Sequence, residues 1–281
     1  MGNAVKTYKI IVIDAVDECT DLQLVSSLIQ LILDSASAIP LKVFIASRDE
    51  PLIRYAFTSL PRLRTVFYLH EAEEDVVKGD IWTYLQTSMA EIKAGHGHTL
   101  DTWPPQSEIS ALLDHAGTLF LYAATAIRYI SQCGPLYKSR LSTLANRDIK
   151  SVGKLEISTI DGLYEHILDQ ACESKEESEV IPMRQLLSMI VFLQNPQPIQ
   201  LISSLSEIDA HLYLSPLMSV IHVPNHKEAA VTPFHASFPD FVTDPSCCSH
   251  KSDPPFSALV ASEGHEMLAL KCLEHMNRLL K

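Results

Sequence analysis

Residues Lys9–Asp21 read KIIVIDAVDECTD, an apolar run that stops abruptly in acids. Ile10, Ile11, Val12 and Ile13 are all β-branched. An unbroken run of this kind predicts a short strand buried on both faces, as in a parallel sheet covered by helices. Asp14 then falls at the carboxyl end of the strand, where open α/β sheets bind their ligands. Mg2+ on a triphosphate takes hard oxygen ligands and keeps much of its water, so a carboxylate in this place suits it. Asp17 and Glu18 follow on the next turn, near enough to orient a water attacking a phosphoryl group. Such a reaction depends chiefly on positioning and charge stabilisation.

Outward from that stretch, strand and helix patterns alternate. Leu22, Val25, Leu28, Ile29 and Ile32 recur at helical spacing, Thr20 or Asp21 can cap the first turn, and Pro40 ends the region. LKVFIASRDEP, Leu41–Pro51, predicts a second apolar strand ending in Ser47 and Arg48. PLIRYAF predicts a short helix beginning at Pro51, where proline is tolerated. RTVFYLHE, Arg64–Glu71, predicts a third strand. Strands and helices in this order suggest a parallel sheet with crossover helices.

From Glu71 the character changes. A helix with an acidic first turn is predicted to Lys93, then a breaker-rich loop in GHGHTLDTWPPQ, Gly95–Gln106. SEISALLDHAGTLFLYAATAIRYISQC predicts one or two strongly apolar helices, closed by Gly134 and Pro135. Ile160, Leu163, Tyr164, Ile167 and Leu168 share one face of a further helix. Helices are also predicted over Ile181–Leu193, Ile199–Ser206 and Ser262–Leu280, the last with Met267, Leu268, Leu270, Leu273, Met276 and Leu280 apolar. Between them, LYLSPLMSVIHVPNHKEAAVTPFHASFPDFV alternates short apolar runs around PNHKE, which suits a helix followed by a small two-stranded wing.

Composition narrows the function classes. Hydrophobic residues make up 47% of the 281, enough for a packed core and too many for a disordered chain. A formal net charge of −12 and the lack of a basic stripe argue against nucleic-acid binding. The cysteines, Cys19, Cys133, Cys172, Cys247, Cys248 and Cys272, form no C-x-x-C pair and read as reduced thiols. MGNAVKTYK carries no apolar signal region, and no segment is clean enough to span a bilayer, so a cytoplasmic location without membrane association is expected. CCSH, Cys247–His250, lacks a second pair at zinc-site spacing. No G-x-S-x-G elbow occurs for a serine hydrolase.

IIVIDAVDEC resembles the second phosphate-site motif, the Walker B strand, of the NACHT family of signal-transducing NTPases (the STAND class). LKVFIASRDEPLI resembles the sensor strand of that family, which ends in Ser-Arg, and Arg48 matches the arginine that points to the γ-phosphate. AGTLFLYAATAIRYI, Ala116–Ile130, resembles the helical segment after the nucleotide core in fungal members, and IDGLYEHIL, Ile160–Leu168, the helix opening the next module. TPFHASFPDFVTD, Thr232–Asp244, resembles the winged-helix signature His-x-Ser-Phe. There the histidine, matched by His235, reaches the diphosphate of bound ADP and keeps the protein closed. The resemblance runs over about residues 9–281 and is to the fungal NACHT type, often coupled to a nephrocystin-like N-terminal region and C-terminal WD repeats. Neither partner region is expected in this chain.

The resemblance implies an α/β plus α protein: a partial parallel-sheet core of the P-loop NTPase type, then helical and winged-helix modules. The implied divisions are 1–72 for the C-terminal part of the nucleotide core, 73–150 helical, 151–250 winged-helix-like, and 251–281 opening a further helical module. It implies ATP or ADP and Mg2+ as cofactors. Asp14 would meet the metal, Asp17 and Glu18 would act in catalysis, and Arg48 and His235 would bind nucleotide. It also implies protein partners or self-association through flanking domains. Two departures stand out. Where plant and animal relatives carry Gly-x-Pro for the adenine, this sequence has Thr118 and Leu119. The phosphate loop G-x-x-x-x-G-K-[ST], whose backbone N–H groups and lysine hold the phosphates, does not occur. The chain is therefore expected to begin inside its nucleotide domain and to hydrolyse little or no ATP alone. The rival reading is a non-enzymatic interaction scaffold or a degenerate fragment.

Overall fold

The structure, a computed structural model, describes residues 9–35, 40–57, 65–69, 72–97, 102–132, 134–147, 159–173, 175–224, 226, 228–246 and 258–280. The chain divides into two compact units, Met1–Ala72 and Glu73–Lys281. The described residues are mostly helical, with a small parallel sheet in the first unit.

In the first unit, strand β1 (Lys9–Ile13) leads through a single 3-10 turn (Val16–Glu18) into helix α1 (Leu22–Ser35), strand β2 (Leu41–Ile45) and helix α2 (Pro51–Ala56). Of the two capping candidates, Asp21 does the work: its Oδ1 accepts from the N–H groups of Gln23 and Leu24, both at 3.0 Å. β1 and β2 pair in parallel, from Lys9 with Leu41 to Ile13 with Ile45. Val25, Ile29 and Leu33 of α1 form a core with Ile53 and Ala56 of α2, against which Ile45 packs.

Two expectations fail here. β1 is not buried on both faces. Ile10 and Val12 are 72% and 66% exposed, as is Phe44, at 59%, on the same sheet face. Burial of both faces requires helical cover on each side, and among the described residues of this unit the cover lies on one. Nor does residue run 65–69 form a strand; Phe67 and Leu69 are exposed, and no ladder partner appears among the described residues. Residues 64, 70 and 71 of that expected strand lie outside the described residues, as do Cys247–His250.

The second unit is a helical assembly. α3 (Glu74–Gly95), α4 (Gln106–Ala116) and α5 (Phe120–Ser131) come first, with Gly117 at φ 55° letting the chain turn between α4 and α5. α6 (Tyr137–Ala145), α7 (Thr159–Cys172), α8 (Glu177–Phe192), α9 (Ile199–Ser206) and α10 (Ala210–Leu214) follow. α5 is buried nearly all round, through Tyr122, Ala123, Thr125, Ala126, Ile127, Tyr129 and Ile130. That is why its sequence lacks a polar face. α8 opens with a capping box between Glu176 and Glu179. Strands β3 (Ile221–His222) and β4 (Thr232–Pro233) pair antiparallel, and helix α11 (Ser237–Thr243) leaves β4 at once. Phe238 and Phe241 of α11 meet the Tyr164 ring of α7, with Phe238 edge-on at 5.1 Å. α12 (Ala261–Leu279) lies on α8 and α9, with Leu268 buried beside Met189 and Leu205. Leu270, Leu273 and Met276 of α12 stay exposed. Among the described residues, no helix is long and apolar enough to cross a membrane.

Candidate functional sites in the two units

Parallel pairing brings the carboxyl ends of β1 and β2 to one edge of the sheet. The ladder continues past the strands: Ala46 N–H donates to Ile13 O at 2.9 Å, and Val16 N–H to Ala46 O at 3.2 Å. Asp14 is therefore beside the segment that leads to Arg48. Its Oδ1 accepts from the Ala15 N–H at 3.0 Å, and Ala15 takes the left-handed conformation, φ 50° and ψ 46°. A non-glycine residue there is strained, and such outliers cluster at ligand-binding turns.

The bend at Ala15 carries Asp17 back toward β2. Its Oδ1 accepts from the backbone N–H of Arg48 at 3.0 Å, and its Oδ2 lies 3.6 Å from Arg48 Nε. The Asp17 side chain is only 8% exposed and that of Arg48 is 59% exposed. The structure thus brings two of the expected site residues into direct contact with each other. Asp14 and Glu18 are exposed and do not join them in a cluster; among the described residues no group of three or more His, Cys, Asp or Glu is placed to hold a metal ion. Asp14 offers an exposed hard oxygen at this tip. That fits Mg2+ only where phosphates and water supply the remaining ligands.

His235 belongs to the second unit, between β4 and α11. The Ser237 N–H donates to its Nδ1 at 3.1 Å, and the Ser237 hydroxyl lies 2.8 Å from the same nitrogen. An amide N–H can only donate, so Nδ1 is unprotonated and the neutral ring carries its proton on Nε2. The hydroxyl hydrogen bond then has one direction: Ser237 O–H donates to Nδ1. The Tyr164 hydroxyl, 2.9 Å from Ser237 Oγ, donates into Ser237 in turn. Tyr164 is 2% exposed, and burial holds its phenol above the ordinary tyrosine range, so it stays a proton donor at neutral pH. The sequence marked His235 through its His-x-Ser spacing but read Tyr164 only as part of an apolar helix face. A tyrosine on such a face brings a polar tip that periodicity cannot see.

Residues 3–48 match the family described as Nephrocystin 3, N-terminal. This runs against the expectation that no nephrocystin-like region is present, over that stretch alone. The matched stretch is well under half of the 281 residues. No curated protein and no solved structure matches the chain. The segment that carries Asp14, Asp17, Glu18 and Arg48 is thus similar to the nephrocystin 3 N-terminal family, and the similarity ends at Arg48.

Proposed function

We propose that this chain is part of a fungal NACHT-type, STAND-class signalling switch that responds to ADP and ATP with Mg2+. The observation that carries this reading is the single matched stretch 3–48, which joins the acidic strand tip to the Ser-Arg tip of its parallel neighbour. In this reading the first unit is the later part of a P-loop-type core, with Asp14 toward Mg2+, Asp17 and Glu18 toward the attacking water, and Arg48 toward the γ-phosphate. Arg48 leaves Asp17 when a triphosphate arrives; with the guanidinium exposed and 3.6 Å away, the ion pair holds by only about 1 kcal/mol. The second unit contributes a helical module and a winged-helix-like module, in which the resemblance assigns His235 to a diphosphate. Nucleotide that prefers one arrangement of the modules shifts the population toward it. Self-association or partner binding through further domains would read out the shift.

No phosphate loop occurs in the 281 residues, so binding is expected to be weak and turnover absent. Calorimetry with ATP and Mg2+ tests this. Binding near about millimolar, weakened roughly tenfold by Asp14→Ala or by chelating the metal, supports the reading. A folded protein that gives no heat at millimolar nucleotide overturns it in favour of an interaction scaffold.

A further inference from the structure

His96 closes helix α3 and is half-buried. Both of its ring nitrogens face backbone carbonyl oxygens. Nδ1 lies 2.8 Å from Ile92 O on its own helix, and Nε2 lies 2.9 Å from Gly134 O, at the start of the turn before α6. A carbonyl oxygen only accepts. A neutral imidazole carries one N–H, so it satisfies one of the two oxygens and turns a lone pair toward the other; only the imidazolium donates to both. Ile92 O is also among the last four carbonyls of α3, where the helix runs out of its own donors and a positive charge is favoured.

The surroundings support the charge with neutral groups. The Tyr137 ring of α6, 2% exposed, lies against the imidazole with centroids 4.3 Å apart and planes 31° apart. An aromatic face favours a cation over it. Trp103 in turn meets Tyr137 edge-on at 4.7 Å. No carboxylate pairs with His96 among the described residues. The charged and titratable groups around it are Glu91 and Lys93 toward the end of α3, and Tyr137 and Lys138 on α6, with Lys138 Nζ 5.9 Å from the Tyr137 centroid. Residues 102–105 around Trp103 and the turn at 134–136 bring none. The lysines work against the ring proton, while the two carbonyls, the helix end and the aromatic face hold it.

We propose that His96 is a proton-dependent latch of the second unit. As an imidazolium it ties the end of α3 to the Gly134 turn; on losing one proton it releases one of the two carbonyls, and the joint between α3, that turn and the Trp103–Tyr137 pair loosens. Both sides of the joint are sharp turns, with Gly97 at φ 70° and Gly134 at φ 50°, and among the described residues no backbone hydrogen bond joins them. The side chain therefore carries the connection. The joint is tightest where the ring is charged and weakens as pH rises through the range in which histidine loses its charge. The latch stands independently of the nucleotide reading.

The test follows the full chain from about pH 5 to about pH 9. Ring-nitrogen NMR reads the His96 protons. Exchange of the Gly97 amide, which donates to Ala94 O at 3.1 Å, reads the joint once its intrinsic pH dependence is removed. Trp103 fluorescence in a Trp82→Phe background reads the aromatic pair. The expected results are two protonated ring nitrogens at the acid end, Gly97 protection falling roughly tenfold as His96 loses one proton, and Trp103 emission shifting over the same interval. His96→Gln, which cannot reach both carbonyls from two nitrogens, should lack the transition. His96→Lys, which keeps a positive charge through this range, should hold the protection of the acid form to about pH 9. His211→Gln, which removes an exposed histidine from α10, should leave the transition in place. Gly97 protection that stays flat while His96 titrates overturns the latch, as does a His96 ring that carries a single proton throughout. Both are read in wild type, so they hold even if His96→Gln fails to fold. A transition that survives in a folded His96→Gln also overturns it.

Discussion

Asp17 gives the sharpest separation between a group that acts on ligand and one that holds the strand tips together. Its nearly buried carboxylate accepts the Arg48 backbone N–H at 3.0 Å, whereas the Arg48 guanidinium is mostly exposed and 3.6 Å away. A hydrogen bond to a charged acceptor contributes about 1.5–3 kcal/mol. An exposed ion pair contributes about 0.2–1 kcal/mol. Asp17→Ala therefore costs the first unit about 2–3 kcal/mol, losing both. Asp17→Asn keeps an acceptor oxygen and costs roughly 1 kcal/mol, and Arg48→Ala, which keeps its own N–H, costs at most about 0.5 kcal/mol. Both tryptophans, Trp82 and Trp103, lie in the second unit, so fluorescence does not report on this site. Amide hydrogen exchange at Arg48 does: about 2 kcal/mol lost from local opening raises the rate roughly thirtyfold in Asp17→Ala. If Arg48→Ala opens the tip as much as Asp17→Ala, the guanidinium is the holding group and the reasoning is refuted.

Three other perturbations probe the fold and the site turn. Ala15→Gly relieves a left-handed residue at φ 50° and should stabilise the first unit by about 0.5 kcal/mol after the added unfolded-state entropy; a loss of protection in hydrogen exchange contradicts this. A Cβ at Gly264 would sit 2.2 Å from Phe192 Cδ2, so Gly264→Ala should lose about 1 kcal/mol in urea unfolding despite its better helix propensity. Phe192→Leu in the same chain should recover that loss, and a stabilising Gly264→Ala alone would show that α12 does not pack there. Burial pushes the Tyr122 phenol from 10.0 up to about 12, so its contribution is full below pH 10 and is lost as pH rises through 12; it amounts to roughly 3 kcal/mol, and Tyr122→Phe should flatten the alkaline limb of stability against pH by that amount.

The sequence made the local elements legible because their signals are local. Apolar spacing set α1, and a four-residue β-branched run set β1. What escaped it depends on neighbours. β1 reads as doubly buried because burial cannot be told from composition alone, and Ile10, Val12 and Phe44 are bare. Residues 65–69 have strand composition but no partner among the described residues. The Asp17–Arg48 contact turns on the left-handed bend at Ala15, where nothing in an alanine announces a positive φ. Arg128 sits in an apolar helix and reads as an ordinary basic residue near a helix end. Only the structure shows that it meets Phe234 and the Ser219 carbonyl, with no carboxylate partner among the described residues.

The account centres on a nucleotide phosphate meeting His235. Calorimetric titration of the full chain with ADP, in wild type and His235→Ala, tests that most directly. The account predicts one-to-one binding weakened about tenfold or more by the substitution, compared at a temperature where both proteins are folded. ADP binding of equal strength in both proteins, or no binding to either at millimolar concentration, contradicts it.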